Sequence, residues 1–296
     1  MGFGKEYLIS ILVICLCLAT GATGSAQEVM AVISSDLKPY LEAFEGFGEA
    51  FGRPVPFVNL EKEGLRVGPG VHVVVAFGGK AALEHYPDQA TLVYCMAPGI
   101  RLRPADRKGP LVRVQMLPRP GSALVKLKEI QPGLRRLEVL WTSDGIEVYL
   151  QEMQQVSPSL GVEVLVERLN GPDDLPDRLR ALVGGRVDAL WLSPDPLLVN
   201  SQSFSILREF SWSNDIPFYA PTAGLVEKGA VASVSTSFRE IGRTAAMAVQ
   251  RALAGTLSQG EVYPERSEVI VNMTAAANAG LRIPPEVSQK ADRVLP

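Results

Sequence analysis

The chain has 296 residues, of which 47% are hydrophobic and 21% charged, an ordinary balance for one large or two modest folded domains. A formal net charge of -3 gives no basic footprint, so nucleic acid is not an expected partner, and no long block of like charge marks an acidic tail or a polyanion site.

Lys5 precedes a mostly apolar run from Tyr7 to Leu18, and Ala19 to Ala26 are small or polar. That is the three-part pattern of a secretory signal over residues 1–26, with Gly24-Ser25-Ala26 before cleavage at Gln27. The run is too short for an ordinary spanning helix; an uncleaved anchor is the alternative, because Glu6 weakens the positive end. Cys15 and Cys17 follow bulky residues, against lipid anchoring, and leave with the signal. Cys95 then stands alone in an apolar strand, where an inert core thiol is expected. The reading is an exported, periplasmic protein without disulfides.

Val29 to Ile33 form a short apolar strand ending at Ser34-Ser35-Asp36. Leu37, Tyr40, Leu41, Phe44 and Phe47 then recur at helical spacing. Gly52-Arg53-Pro54 breaks that helix, and Val55 to Val58 read as a second strand. Asn59 to Gly70 are a charged connection with no clear helical face. Val71 to Phe77 form a third strand ending at Gly78-Gly79, with a helix from Lys80 to about His85. Thr91 to Met96 and Leu111 to Leu117 are further strands, and Pro118-Arg119-Pro120-Gly121 reads as a crossing into a new unit. Such alternation predicts a parallel, doubly wound sheet.

The pattern then restarts. Leu137 to Trp141 form a strand ending at Thr142-Ser143-Asp144. Ile146, Tyr149, Leu150, Met153 and Val156 make a helical stripe, and Val162 to Val166 a strand. Leu175, Leu179 and Leu182 mark a helix, ended by Gly184-Gly185. Val187 to Leu192 read as a strand buried on both faces and stop abruptly at Ser193-Pro194-Asp195-Pro196. Leu197 to Trp212 are predicted helical, and Ile216 to Tyr219 a strand ending at Ala220-Pro221-Thr222. After a strand at Ala230 to Val234, Ser237-Phe238-Arg239-Glu240 fits a capping box. The helix it opens carries Ile241, Ala245, Ala248 and Ala252 on one face, small enough for close packing. Val269 to Asn272 form a last strand, Thr274 to Ala279 a short helix, and Ile283-Pro284-Pro285 begins a charged terminus.

Enzyme signatures are missing: the two histidines, His72 and His85, have no paired Cys or Glu spacing, and Gly79-Lys80 lacks the rest of a phosphate loop. No catalysis, cofactor or metal is expected. What recurs is a set of turns, Ser34-Ser35, Gly78-Gly79, Ser143-Asp144, Ser193/Asp195 and Thr222, each between a strand and a helix. In a parallel sheet they share the carboxyl edge, where ligands bind in open α/β folds. Hydroxyls and free backbone N–H groups there suit a carboxylate, and Asp144 or Asp195 suits an ammonium, so the set matches an amino acid. The competing explanation is that Ser, Asp and Thr are merely good helix N-caps. Trp141, Trp191 and Tyr219 lie near these strand ends, where core packing is expected over stacking on a ligand.

The runs Leu137-Glu-Val-Leu-Trp-Thr-Ser143, Val187-Asp-Ala-Leu-Trp-Leu-Ser-Pro-Asp195, Ile216-Pro-Phe-Tyr-Ala220, Val226 to Ser233, Glu240 to Ala248, Val271-Asn272 and the Ala-Gly-Leu-Arg-Ile-Pro-Pro285 segment carry a resemblance. Together they resemble the ABC-importer substrate-binding proteins of the type I periplasmic-binding fold, in the branch that includes tryptophan and phenylalanine binders. The match runs from about Arg136 to the C-terminus. The first half is similar at Val73 to Leu83 and Thr91 to Pro98 but departs at Asn59 to Gly70, where the family has a crossover helix.

The resemblance implies an α/β protein of two lobes, each a mostly parallel, doubly wound sheet with helices on both faces. Lobe one would be 27–117 plus 233–258, and lobe two 118–232 plus 259–296. It further implies a monomer that closes on a small polar ligand and docks on a membrane permease. Ser143, Asp144, Asp195 and Thr222 would hold the ligand from lobe two, and Ser34, Ser35, Gly78 and Gly79 from lobe one. A ligand-sensing or scaffold module of a periplasmic signalling system is the alternative.

Overall fold

A computed structural model describes residues 28–185 and 187–296. The expected signal at 1–26, with Cys15 and Cys17, lies outside the described residues. No described helix is long and apolar enough to cross a membrane.

Two sheets form. The first holds strands β1 (Val29–Ile33), β2 (Phe57–Asn59), β3 (Val73–Phe77), β4 (Thr91–Cys95), β5 (Leu111–Val114) and β11 (Gly260–Val262), in the order β11-β5-β4-β3-β1-β2. All five of its pairings are parallel. The second holds β6 (Arg136–Trp141), β7 (Glu163–Arg168), β8 (Ala189–Leu192), β9 (Phe218–Ala220), β10 (Ala232–Ser235), β12 (Glu268–Asn272) and β13 (Arg293–Leu295), in the order β13-β12-β10-β9-β8-β6-β7. There β12 runs antiparallel to β10, and the other pairs are parallel.

The central strands are β-branched or aromatic and buried on both faces, as parallel strands between covering layers must be. One face of the first sheet is covered by helices Lys38–Phe51 and Phe238–Leu253, with Phe47, Phe77, Val93, Ile241 and Ala245 in their shared core. Its other face, which carries Tyr94, packs under Tyr86 and the short helix Gly79–Ala82. Helices Pro120–Ile130, Glu147–Val156 and Met273–Asn278 cover one face of the second sheet, and Leu175–Leu182, Ser201–Asn214 and Ala223–Glu227 the other.

Helices Lys38–Phe51 and Phe238–Leu253 meet at backbone distance. A Cβ on Gly242 would lie 1.8 Å from the Ala43 carbonyl oxygen, and one on Gly46 2.0 Å from that of Arg239. The small-residue face read from the sequence, Ile241, Ala245 and Ala248, is buried in the core beside this contact, while the closest approach is made by Gly242, which that reading did not name. Ser237 caps its helix by accepting from the Glu240 N–H at 3.3 Å.

The chain crosses between the sheets three times, after β5, after β10 and after β11. Strand β10 lies in the second sheet and β11 in the first, so sheet membership changes after Ser235 and after Val262 rather than at 233 and 258. Helix Ser201–Asn214 starts later than expected because Asn200 caps it, its Oδ1 accepting from the Ser203 N–H at 2.9 Å. The expected absence of a crossover helix between β2 and β3 is observed. Helices Pro120–Ile130 and Pro285–Lys290 and strands β11 and β13 were not expected.

Candidate functional site

The carboxyl edge of the second sheet is organised by Asp195, which is buried. Its Oδ2 accepts from the backbone N–H groups of Thr142 at 2.6 Å and Ser143 at 2.7 Å. Its Oδ1 accepts from the hydroxyls of Thr142 at 2.8 Å and Ser143 at 2.9 Å, and from the Leu197 N–H at 3.0 Å. A carboxylate offers about four lone-pair sites, so five donors from its own chain saturate it. Burial pushes this carboxyl up, but the four bonds from Ser143 and Thr142 outweigh it and hold the group below the ordinary aspartate range. The expectation that Asp195 takes a ligand ammonium therefore gives way to a structural role. It ties the end of β6 to the end of β8 and fixes the Ser143 hydroxyl.

The N-cap explanation fails at two of these turns. The Ser143 hydroxyl turns to Asp195, and neither Ser143 nor Thr222 makes a side-chain capping bond to the helical turn it precedes. Thr222 ends the turn after β9, next to β8 in the same sheet. Asp144 is exposed and paired with Arg168 at 2.6 Å, and that arginine also lies over the Trp141 ring at 4.9 Å. Trp191 packs on Tyr149 at 5.9 Å, and the Tyr219 hydroxyl donates to Gln131 Oε1 at 2.7 Å, so both are core side chains.

In the first lobe the Ser34 hydroxyl accepts from the Ala81 N–H at 2.9 Å. It lies against Gly78, whose φ of 100° and lack of room for a Cβ (Ser34 Oγ at 2.4 Å) both require glycine. Ser34 and Gly78 thus brace each other at the ends of β1 and β3. Ser35 is half-buried and accepts weakly from the Leu37 N–H at 3.4 Å. A Cβ on Gly79 would meet Ile100 at 3.5 Å, which leads back to Pro98-Gly99 after β4.

The two carboxyl edges face and touch each other. A Cβ on Gly99 would lie 2.7 Å from the Pro196 ring and 3.8 Å from the Ser143 hydroxyl. A Cβ on Gly145 would lie 2.0 Å from the Pro98 carbonyl oxygen. Arg113, in the middle of β5 and buried, reaches across: its Nη1 donates to the Gly145 carbonyl at 2.6 Å and its Nη2 to that of Pro98 at 3.1 Å. Glu261 of β11 faces the guanidinium at 3.6 Å. One small void beside this contact, lined by Tyr94, Arg113, Ile146 and Pro194 among others, measures about 10 Å³, room for one water at most.

Sequence reasoning missed Arg113 and Gly145. The available signal was a lone cation inside an otherwise apolar strand, which must find partners when buried. Ser193, at the end of β8, is fully buried and its hydroxyl has no hydrogen-bond partner among the described residues. No group of three or more His, Cys, Asp or Glu able to hold a metal occurs among the described residues. Burial raises the Cys95 thiol far above its ordinary range, as suits a core residue.

Residues 123–295 match the family model described as ABC transporter substrate binding protein. No curated protein matches the sequence. Among solved structures, the ABC domain in complex with L-Trp from Streptococcus pneumonia is 16% identical, with a TM-score of 0.62 over 90% of this chain and 100% of that one. A ligand-free, open substrate binding protein with adhesive properties from Clostridium difficile gives the same identity and score over 90% and 98%. A putative ribose operon repressor from Burkholderia thailandensis is 16% identical, with a TM-score of 0.53 over 82% and 98%. These likenesses establish the type I periplasmic-binding fold.

Proposed function

Since the chain belongs to the ABC transporter substrate binding protein family, we propose that it is the periplasmic solute-binding component of an ABC importer. It takes an amino acid or similar small polar ligand between its lobes and presents the closed form to a membrane permease. The observation that carries this reading is the abutment of two carboxyl edges, Pro98-Gly99 on one lobe against Gly145 and Pro196 on the other. Ligands of open α/β sheets bind at such edges.

Because Pro98-Gly99 abuts Gly145 and Pro196, and the void beside them is far below the few hundred Å³ of a small-molecule pocket, entry requires the lobes to part in this reading. The three crossings serve as the hinge, and Arg113 must release the Gly145 carbonyl. Parting the edges offers Ser35, Gly79, Ser143, the Ser193 hydroxyl and Thr222 to a ligand. Ser34, Gly78 and Asp195 shape that surface, and Asp144 stands at its rim. The sensing or scaffold alternative draws on the same close fit, since a module that only presents a fixed surface has no need of a cavity.

Thermal unfolding against a panel of amino acids, purines and sugars tests the proposal. The panel includes L-tryptophan because a protein of the same fold holds it. A ligand at a hundred times its Kd adds about 2.7 kcal/mol to stability. One class should raise Tm saturably, and the Ser143→Ala/Thr222→Ala double variant should lose that rise. No saturable rise with any compound would remove the binding reading and leave the scaffold.

A further inference from the structure

We propose a second ligand site, for a small oxyanion, in the groove at the first and third crossings. This goes beyond the reading above and needs no ligand at the rim.

The groove measures about 700 Å³, within the range of small-molecule sites. Its walls come from both lobes: the first crossing with the start of helix Pro120–Ile130, the far half of helix Phe238–Leu253, and the third crossing around Tyr263. Three cations line it, Arg119, Lys126 and Arg251, and none is in an ion pair among the described residues. Arg239 and Arg243, earlier on the same helix as Arg251, are both paired with Glu49. The groove therefore brings three cations without a salt-bridging carboxylate to one concave surface.

Two carboxylates also line it. Glu261 is turned to Arg113 and Gln115, which leaves Glu265 as the single opposing charge. Arg119 lies 5.0 Å over the Tyr263 ring, which restrains its guanidinium at the groove wall. Helix Pro120–Ile130 opens there without a side-chain cap, so its first N–H groups add positive potential to the same wall. The balance favours an anion with oxygen acceptors, a carboxylate or a phosphate. Lys126 belongs to a helix of the second lobe and Arg251 to one of the first. An occupant held by both spans the lobes, and its binding is coupled to their opening.

Hydrogen-exchange mass spectrometry on the purified protein tests this, at fixed ionic strength, with citrate, inorganic phosphate and neutral glycerol as probes. Citrate should protect segments 118–126 and 256–267 saturably. Protection by phosphate alone would assign the site to the inorganic oxyanion. Lys126→Gln/Arg251→Gln should weaken binding about a hundredfold or more with Tm unchanged, since two charge-assisted bonds are lost. No saturable protection from either anion, equal protection from glycerol, or unchanged affinity in the double variant would overturn it. Failure of the rim site reads out instead at segments 98–99 and 142–146, so the two outcomes are separable.

Discussion

Arg113 Nη1 donates to the Gly145 carbonyl at 2.6 Å, joining a strand of one lobe to the rim loop of the other. The bond is buried and charge-assisted, so under the proposed hinge motion it favours the closed form by about 1.5–3 kcal/mol. Arg113→Gln should raise the open-to-closed ratio about tenfold or more. Small-angle X-ray scattering checks this, with a larger radius of gyration expected than for the wild type. An unchanged radius would remove Arg113 as the latch.

Asp195 gives a stability prediction with a pH signature. Its folded carboxyl sits below the ordinary range, so the unfolded chain takes up the proton more readily than the folded one. The stability it contributes is complete above about pH 5 and is lost as pH falls below the unfolded value near 3.9. Asp195→Ala should cost about 3 kcal/mol at pH 7, because buried donors lose their acceptor. Asp195→Asn should flatten the acid limb of a plot of urea midpoint against pH. A parallel acid limb in that variant would contradict the hydrogen-bond account.

The crossing of helices Lys38–Phe51 and Phe238–Leu253 supplies a paired test. Gly242→Ala places a Cβ against the Ala43 carbonyl and should destabilise by about 3 kcal/mol or more. Gly48→Ala, on the same helix as Gly46 but with nothing within 4 Å, should stabilise by about 0.5–1 kcal/mol. Chemical denaturation of the two variants reads both signs.

Much of this was legible in the residues. Apolar runs closed by polar turns located most strands, and strand-then-turn order placed Ser143 and Asp195 on one edge, where they now share hydrogen bonds. The role of Asp195 was not legible, because its donors at Thr142 and Ser143 lie some fifty positions away and only sheet order unites them. Gly145 was hidden for a similar reason: its lack of a side chain matters through Pro98, on the opposite lobe. Helix Pro120–Ile130 was missed because Pro120-Gly121 read as loop chemistry, while a proline at the first helical position is a start signal. Strands β11 and β13 are three residues each, too short to show alternation.

The central claim is that the two carboxyl edges close on each other and part about the crossings. Nitroxides at His85→Cys and Glu209→Cys, exposed positions in different lobes, report this by pulsed dipolar spectroscopy, with the native Cys95 buried. The account predicts a dominant closed distance in the wild-type background and a second, open population that grows in Arg113→Gln and in Gly145→Ala. One narrow distribution, identical in all three proteins, would contradict it.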